Sequence, residues 1–273
     1  MRWRVRSPLG VSFTGLFLVA GTKEVYIFLE LTIHFLITKM VVSPRPKGND
    51  MTQETTMTQE LTAVKEEGAS HLPADVAQTF QADQDSLDAA GVPDTVAKVG
   101  TAMPDAALLT ATGTPTTLRE VVGDRPAVVV FYRGAWCPYC NVTLHTYQST
   151  LMPALQKLGA TLVAISPQKP DGSLSVKEKH ALSFPVISDP ANALARDLGI
   201  VATPTPGTRA AQLELGLDVS TLNVDDDADL PMPTVVIVDR DGTIRWIDVH
   251  PNYTTRSEPG DILDAYRSVV GDK

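Results

Sequence analysis

The chain has 273 residues, 43% of them hydrophobic, with 23 basic against 32 acidic side chains and a formal charge of −9. That length holds one large or two small domains, and the apolar share suffices for a proper core. The acidic balance argues against nucleic acid as a partner, because a phosphate backbone is bound by clustered Lys and Arg.

Arg2, Arg4 and Arg6 precede the apolar run Gly10 to Gly21, an order typical of a signal peptide. A second apolar run, Val25 to Val42, contains Glu30, His34 and Lys39 and makes a poor transmembrane helix. The nearest approach to a small-x-small cleavage site is Val19-Ala20-Gly21. The preferred reading of residues 1–42 is that translation begins downstream, at Met40, Met51 or Met57. The alternative is a secretory or membrane-anchoring segment. A cytoplasmic protein without a membrane partner is therefore expected, unless residues 1–42 are translated, which would imply export or anchoring.

Residues 43–70 are rich in Pro, Lys, Glu, Thr and Gln without apolar periodicity, and predict a disordered linker. Residues 71–97 form a helical extension, with Val76, Phe80 and Leu87 among polar spacers from Pro73 to Ala90. That helix packs either on the main domain or on a second copy, as in a homodimer.

The main domain spans 98–273. Leu108 to Thr110 and the turn at Gly113 suggest a short strand pair, and Thr117 to Val122 a short helix. Ala127-Val128-Val129-Val130-Phe131-Tyr132 is β-branched, aromatic and uninterrupted, as a buried parallel strand should be. A helix follows from Pro138, with Leu144, Tyr147, Leu151, Leu155 and Leu158 on one face. Pro153 should kink or break it, and Gly159 ends it. Thr161 to Ser166 is a second buried strand, Val176 to His180 a short helix, Phe184 to Ser188 a brief strand and Asn192 to Leu198 a helix.

Residues 201–230 lack a clear period and read as an insertion; its Asp225, Asp226, Asp227 and Asp229 read as a solvated loop, without the Gly and terminal Glu of a calcium loop. Two strands then flank Asp239-Arg240-Asp241-Gly242, a strong hairpin signal, and a helix from Gly260 to Val270 closes the chain. The fold class is α/β: a mixed central sheet with helices on both faces.

Both cysteines of the chain, Cys137 and Cys140, lie where the first buried strand meets its helix. A helix N-terminus offers unpaired amides and positive dipole charge, which favour a thiolate. Pro138 suits the first helical position. Cys137 should sit partly exposed at the helix mouth, and Cys140, in line with Leu144 and Tyr147, should point inward. One helical turn apart, the two can close a redox disulfide with little backbone movement. A structural zinc site needs four ligands, and no second Cys pair or His-x3–5-His spacing exists, so no metal and no other cofactor is expected. Met232-Pro233-Thr234 opens a later strand; Pro233 is either a plain strand boundary or a cis-proline facing the dithiol.

Phe131-Tyr132-Arg133-Gly134-Ala135-Trp136-Cys137-Pro138-Tyr139-Cys140 resembles a ten-residue signature of peroxiredoxin-like proteins of the alkyl hydroperoxide reductase/thiol-specific antioxidant (AhpC/TSA) type, within the thioredoxin-like superfamily. Ile165 to Gln168, Phe184 to Asp189 and Asn252 to Pro259 are similar to the downstream landmarks of that group, so the resemblance covers residues 75 to 270. It implies a thioredoxin-like fold and a thiol peroxidase that reduces hydroperoxides through the dithiol and is itself reduced by a thioredoxin-like or other thiol donor.

The sequence departs from the usual peroxiredoxin pattern Pro-x-x-x-Thr/Ser-x-x-Cys. Arg133 stands at the Pro position, Cys137 at the Thr position and Cys140 at the peroxide-reactive position. The family's active-site Arg has no match between residues 210 and 233, and Arg133 could replace it. Aligned with thioredoxins instead, Cys137 attacks, Cys140 resolves and Pro233 is the cis-proline. The alternatives are therefore a thiol–disulfide oxidoreductase and a binding module switched by its dithiol. Arg133, Trp136 and Pro233 are the supporting candidates.

Overall fold

The computed structural model describes residues 55–270, together with a short antiparallel pairing of Val5–Arg6 with Ser12–Phe13. The expectations for the other residues of 1–42, and for the 43–54 part of the linker, lie outside the described residues. Among the described residues no helix is long and apolar enough to cross a membrane.

The central strand β3, Ala127–Phe131, is buried on both faces, which explains its unbroken apolar sequence. Val128, Val130 and Tyr132 enter one core with both cysteines, while Ala127, Val129 and Phe131 enter the other. Around it runs a seven-stranded sheet, here labelled in chain order: β1 Leu108–Thr110, β2 Pro115–Thr116, β3, β4 Thr161–Ser166, β5 Val186–Ser188, β8 Thr234–Val238 and β9 Ile244–Val249, in the spatial order β9-β8-β3-β4-β5-β1-β2. β3, β4 and β5 are parallel, with Val129 opposite Val163 and Ile165 opposite Ile187. β8 lies antiparallel on the other side of β3, with Thr234 opposite Phe131. The expected hairpin joins β8 to β9, and Asp239 Oδ1 accepts from the Asp241 and Thr243 amides at 3.0 and 2.9 Å.

The expected linker is corrected over its second half. Met57–His71 is a helix, α1, opened by a reciprocal cap in which Thr56 and Gln59 bond each other's amides. Met57, Leu61 and Val64 form a single narrow buried stripe. Three buried side chains among fifteen are invisible to composition, yet tertiary packing suffices to order such a helix. The extension helix follows as α2, Ala74–Ala90, close to the expected bounds.

Helix α3 is Leu118–Val122. The dithiol helix α4 is Pro138–Thr146; it widens into a π-type turn at Tyr147–Leu151 and resumes as α5, Met152–Lys157. The wide turn lies just before Pro153, whose missing N–H breaks the regular ladder as expected. Helix α6, Pro170–Lys179, starts six residues earlier than the sequence indicates, and α7 is Ala193–Asp197.

Residues 201–230 are also more ordered than expected. They hold α8 (Pro206–Glu214), α9 (Val219–Leu222) and a small sheet of β6 (Val201–Ala202) with β7 (Leu230–Pro231). Polar caps organise this region, Thr205 on the Thr208 amide and Asp218 on Ser220, and no apolar period marks it. Its aspartates are not simply solvated: Asp229 is buried, paired with Arg196 at 2.6 Å and bonded by the Thr203 hydroxyl. The last helix, α10, is Pro259–Val270.

Candidate active site

β3 delivers Tyr132 and Arg133 to the carboxyl end of the sheet, where the chain turns sharply into α4. Gly134 (φ 155°) makes that turn, and any Cβ there would strike the Trp136 indole. The turn is held on both sides. The Ala135 amide donates to Gln168 Oε1 at 2.6 Å, and the Ala135 carbonyl accepts from Asn141 Nδ2 at 2.8 Å. Gln168 lies directly over Gly172 of α6, where no side chain larger than hydrogen fits.

Cys137 occupies the N-cap of α4, and Cys140 lies one turn further on. Both are only 1% exposed, which corrects the expectation of an accessible Cys137. The physical reason is the cover: Met57 and Leu61 of α1 join the core cluster that holds the two sulfurs. Both sulfurs are free thiols.

The environments of the two sulfurs are opposite. Cys140 Sγ accepts from Arg256 Nη2 at 3.2 Å and from the Arg133 amide at 3.4 Å. Burial works to raise its pKa, but the Cys137 thiol, the Arg256 guanidinium, the Arg133 amide and the Arg133 charge together hold it well below the usual thiol range. Burial pushes Cys137 well up, and the neighbouring Cys140 adds to the rise. The helix terminus alone favoured Cys137 as the activated thiol; the pairing of the two sulfurs and the two donors on Cys140 Sγ favour Cys140 instead.

Arg256 was missed as a site residue, although it lies in the Asn252–Pro259 stretch that the resemblance singles out. Its Nη1 bonds the carbonyls of Tyr253 and Thr255, both at 2.6 Å. The loop carrying it is fixed from several directions. Tyr147 donates to the Ser257 carbonyl at 2.7 Å, Asn252 to Asp88 of α2 at 2.7 Å, and the Thr58 hydroxyl of α1 to Glu258 at 2.6 Å.

Arg133 is buried. Its guanidinium lies 4.1 Å from the Tyr253 ring centroid and 5.0 Å from that of Trp136. Among the described residues neither Arg133 nor Arg256 joins an ion pair, so both charges remain directed at the sulfurs. Trp136 is the half-buried platform under Arg133. Pro233 lines a shallow groove together with Arg133, Tyr253, Met232 and, from α2, Asp83 and Leu87. The peptide bond before Pro233 is not cis, since no cis bond occurs among the described residues. Its carbonyl serves instead to accept the His250 amide at 2.8 Å. No group of three metal-ligating side chains gathers among the described residues.

The AhpC/TSA family model matches residues 99–247, more than half of the chain. The chain belongs to the AhpC/TSA family. Among solved structures, a reduced Prx3 from Vibrio vulnificus in complex with hydrogen peroxide is 17% identical, with a TM-score of 0.51, covering 62% of this chain and 99% of its own. The peroxidoxin BcpB of Mycobacterium tuberculosis is 20% identical, with a TM-score of 0.48 over 63% of this chain and 97% of its own. No protein of curated function gives a significant match. The fold is thioredoxin-like, as in that Prx3 structure.

Proposed function

We propose that this AhpC/TSA protein is a thiol peroxidase in which Cys140 attacks the peroxide and Cys137 resolves. The observation that carries this reading is the Arg256 Nη2 donor 3.2 Å from Cys140 Sγ, beside the Arg133 amide at 3.4 Å. Two donors and two cations favour a thiolate, and the same cations favour the negative charge that develops on the departing oxygen.

The thiolate of Cys140 attacks the terminal oxygen of a hydroperoxide, the O–O bond breaks, and the leaving alkoxide takes a proton from solvent. Cys140 is then a sulfenic acid, oxidised by two electrons. The Cys137 sulfur attacks it, expelling hydroxide that leaves as water with the Cys137 proton, and a disulfide forms. A thioredoxin-like dithiol reopens that disulfide by exchange, in the reducing cytoplasm.

Rapid-mixing measurement of peroxide consumption, with a thioredoxin system as donor, tests the assignment. Cys140→Ser should abolish peroxide reduction, and Cys137→Ser should reduce one equivalent and leave a sulfenic acid that a dimedone-type reagent traps. A Cys140→Ser protein that still consumes peroxide, or a wild-type protein that reduces glutathione disulfide and insulin but leaves peroxide untouched, would favour the oxidoreductase with Cys137 attacking.

A further inference from the structure

His180 and Asn141 have no part in the chemistry above, yet both are buried, with 5% and 2% exposure. Asn141 Nδ2 donates to the carbonyls of Ala135, at 2.8 Å, and Cys137, at 3.1 Å. With its amide hydrogens committed to those carbonyls, Asn141 Oδ1 must be an acceptor, and His180 Nε2 lies 2.9 Å from it. His180 therefore carries its proton on Nε2. Its Nδ1 is bare and has no partner among the described residues. A buried bare nitrogen costs desolvation, and an apolar residue would fill the same volume without that cost. The gain that offsets it is the satisfied Asn141 oxygen, hence a fixed amide orientation.

We propose that His180 and Asn141 are positioning residues for the dithiol: His180, at the end of α6, acts through Asn141 to hold the Ala135 and Cys137 carbonyls, and so holds Cys137 against Cys140. This deepens the assignment of the dithiol as the reactive centre and rests on it. The lock is one half of a two-sided grip whose other half is Gln168 on the Ala135 amide, also supplied from beside α6. The Cys137 carbonyl, which also accepts the Asn141 backbone amide at 3.1 Å, is thereby held by both Asn141 donors, which keeps Cys137 one helical turn from Cys140. Released, the turn can swing Cys137 away, and Cys140 then loses one of its stabilising partners while keeping Arg133 and Arg256.

The test reads the thiol directly and needs no peroxide, so its result stands apart from whether peroxides are the substrate. The rate of alkylation by iodoacetamide is followed against pH in the full-length protein. His180→Met and Asn141→Leu, which fill the volume but cannot make the link, should each slow alkylation at neutral pH about tenfold and move the midpoint up by about one unit, leaving the alkaline plateau unchanged. His180→Gln, which can still donate to Asn141, should stay within about threefold of wild type. A His180→Met profile that superimposes on wild type, even with a lowered melting temperature, would show a purely structural histidine and overturn the proposal; so would a His180→Gln protein as impaired as His180→Met. If the variants do not fold, the nitrogen NMR signature of the wild-type ring decides: a proton on Nε2 and a bare Nδ1 is required, and the opposite tautomer overturns it.

Discussion

Arg256 and Cys140 lie 116 positions apart in the chain and meet at 3.2 Å in the core, a guanidinium hydrogen-bonding a sulfur that is almost fully enclosed. An enclosed thiolate without such a partner is strongly disfavoured. With the Cys137 partner and the Arg133 amide, the contact favours a thiolate at Cys140.

Removing that partner should be costly for reactivity. Arg256→Met is expected to slow peroxide reduction and alkylation of Cys140 by about 100-fold at neutral pH, corresponding to about two pKa units of lost thiolate stabilisation. Arg256→Lys keeps the charge but not the fork that also holds the Tyr253 and Thr255 carbonyls, and should recover only part of the rate. Stopped-flow tryptophan fluorescence checks both, and an Arg256→Met protein with the wild-type rate would remove Arg256 from the site.

Stability should respond to His180 between pH 6.5 and 4. Burial first, then the nearby charges of Lys179 and His145, push its pKa down to about 4. The unfolded state therefore binds the extra proton over that window, so this residue costs stability as pH falls from about 6.5 to about 4, by up to about 3 kcal/mol. Asp189, pushed up to about 6 by burial against the opposing pull of the Leu194, Ala195 and Ala193 amides, takes up its proton in the folded state first and acts with opposite sign. The His180 contribution is accordingly read as the difference between wild type and His180→Met in urea midpoints across that range. It should vanish above pH 7, where both states are neutral.

Helix α1 should behave as part of the domain. Leu61 is 4% exposed and belongs to the core cluster that holds both cysteines. Leu61→Ala is expected to cost about 2–4 kcal/mol in chemical denaturation and to raise the accessibility of the dithiol to bulky maleimides. Amide exchange over 57–71 should be slow in wild type and fast in this variant. Rapid exchange of α1 in wild type would contradict its docking.

Gly172→Ala should damage the site from a distance. A Cβ at residue 172 overlaps the Gln168 side chain, whose Oε1 holds the Ala135 amide at 2.6 Å. The expected outcome is a folded protein with a several-fold slower reactive thiol and a changed Trp136 emission. A kinetically silent Gly172→Ala, with unaltered fluorescence, would mean that Gln168 is not needed to hold the turn.

The strands of the central sheet, the dithiol at a helix start, the break before Pro153 and the β8–β9 hairpin were all legible in the sequence, because each rests on local chemistry: buried apolar runs, a proline at the first helical position, a lost N–H, and an Asp-Arg-Asp-Gly turn. What lay beyond reach shares one cause. Helix α1 depends on three buried side chains that mean nothing until α4 is there to receive them, and the order of 201–230 depends on polar caps and the Arg196–Asp229 pair rather than on any period. Likewise Arg256 reaches Cys140, and Gln168, Asn141 and His180 hold the turn, through hydrogen bonds between residues distant in sequence. Local pattern determined by itself where the two sulfurs sit, on which element and one turn apart; only the tertiary structure decided which of them is favoured as a thiolate, because part of that preference is electrostatic and its source, Arg256, arrives from another part of the chain.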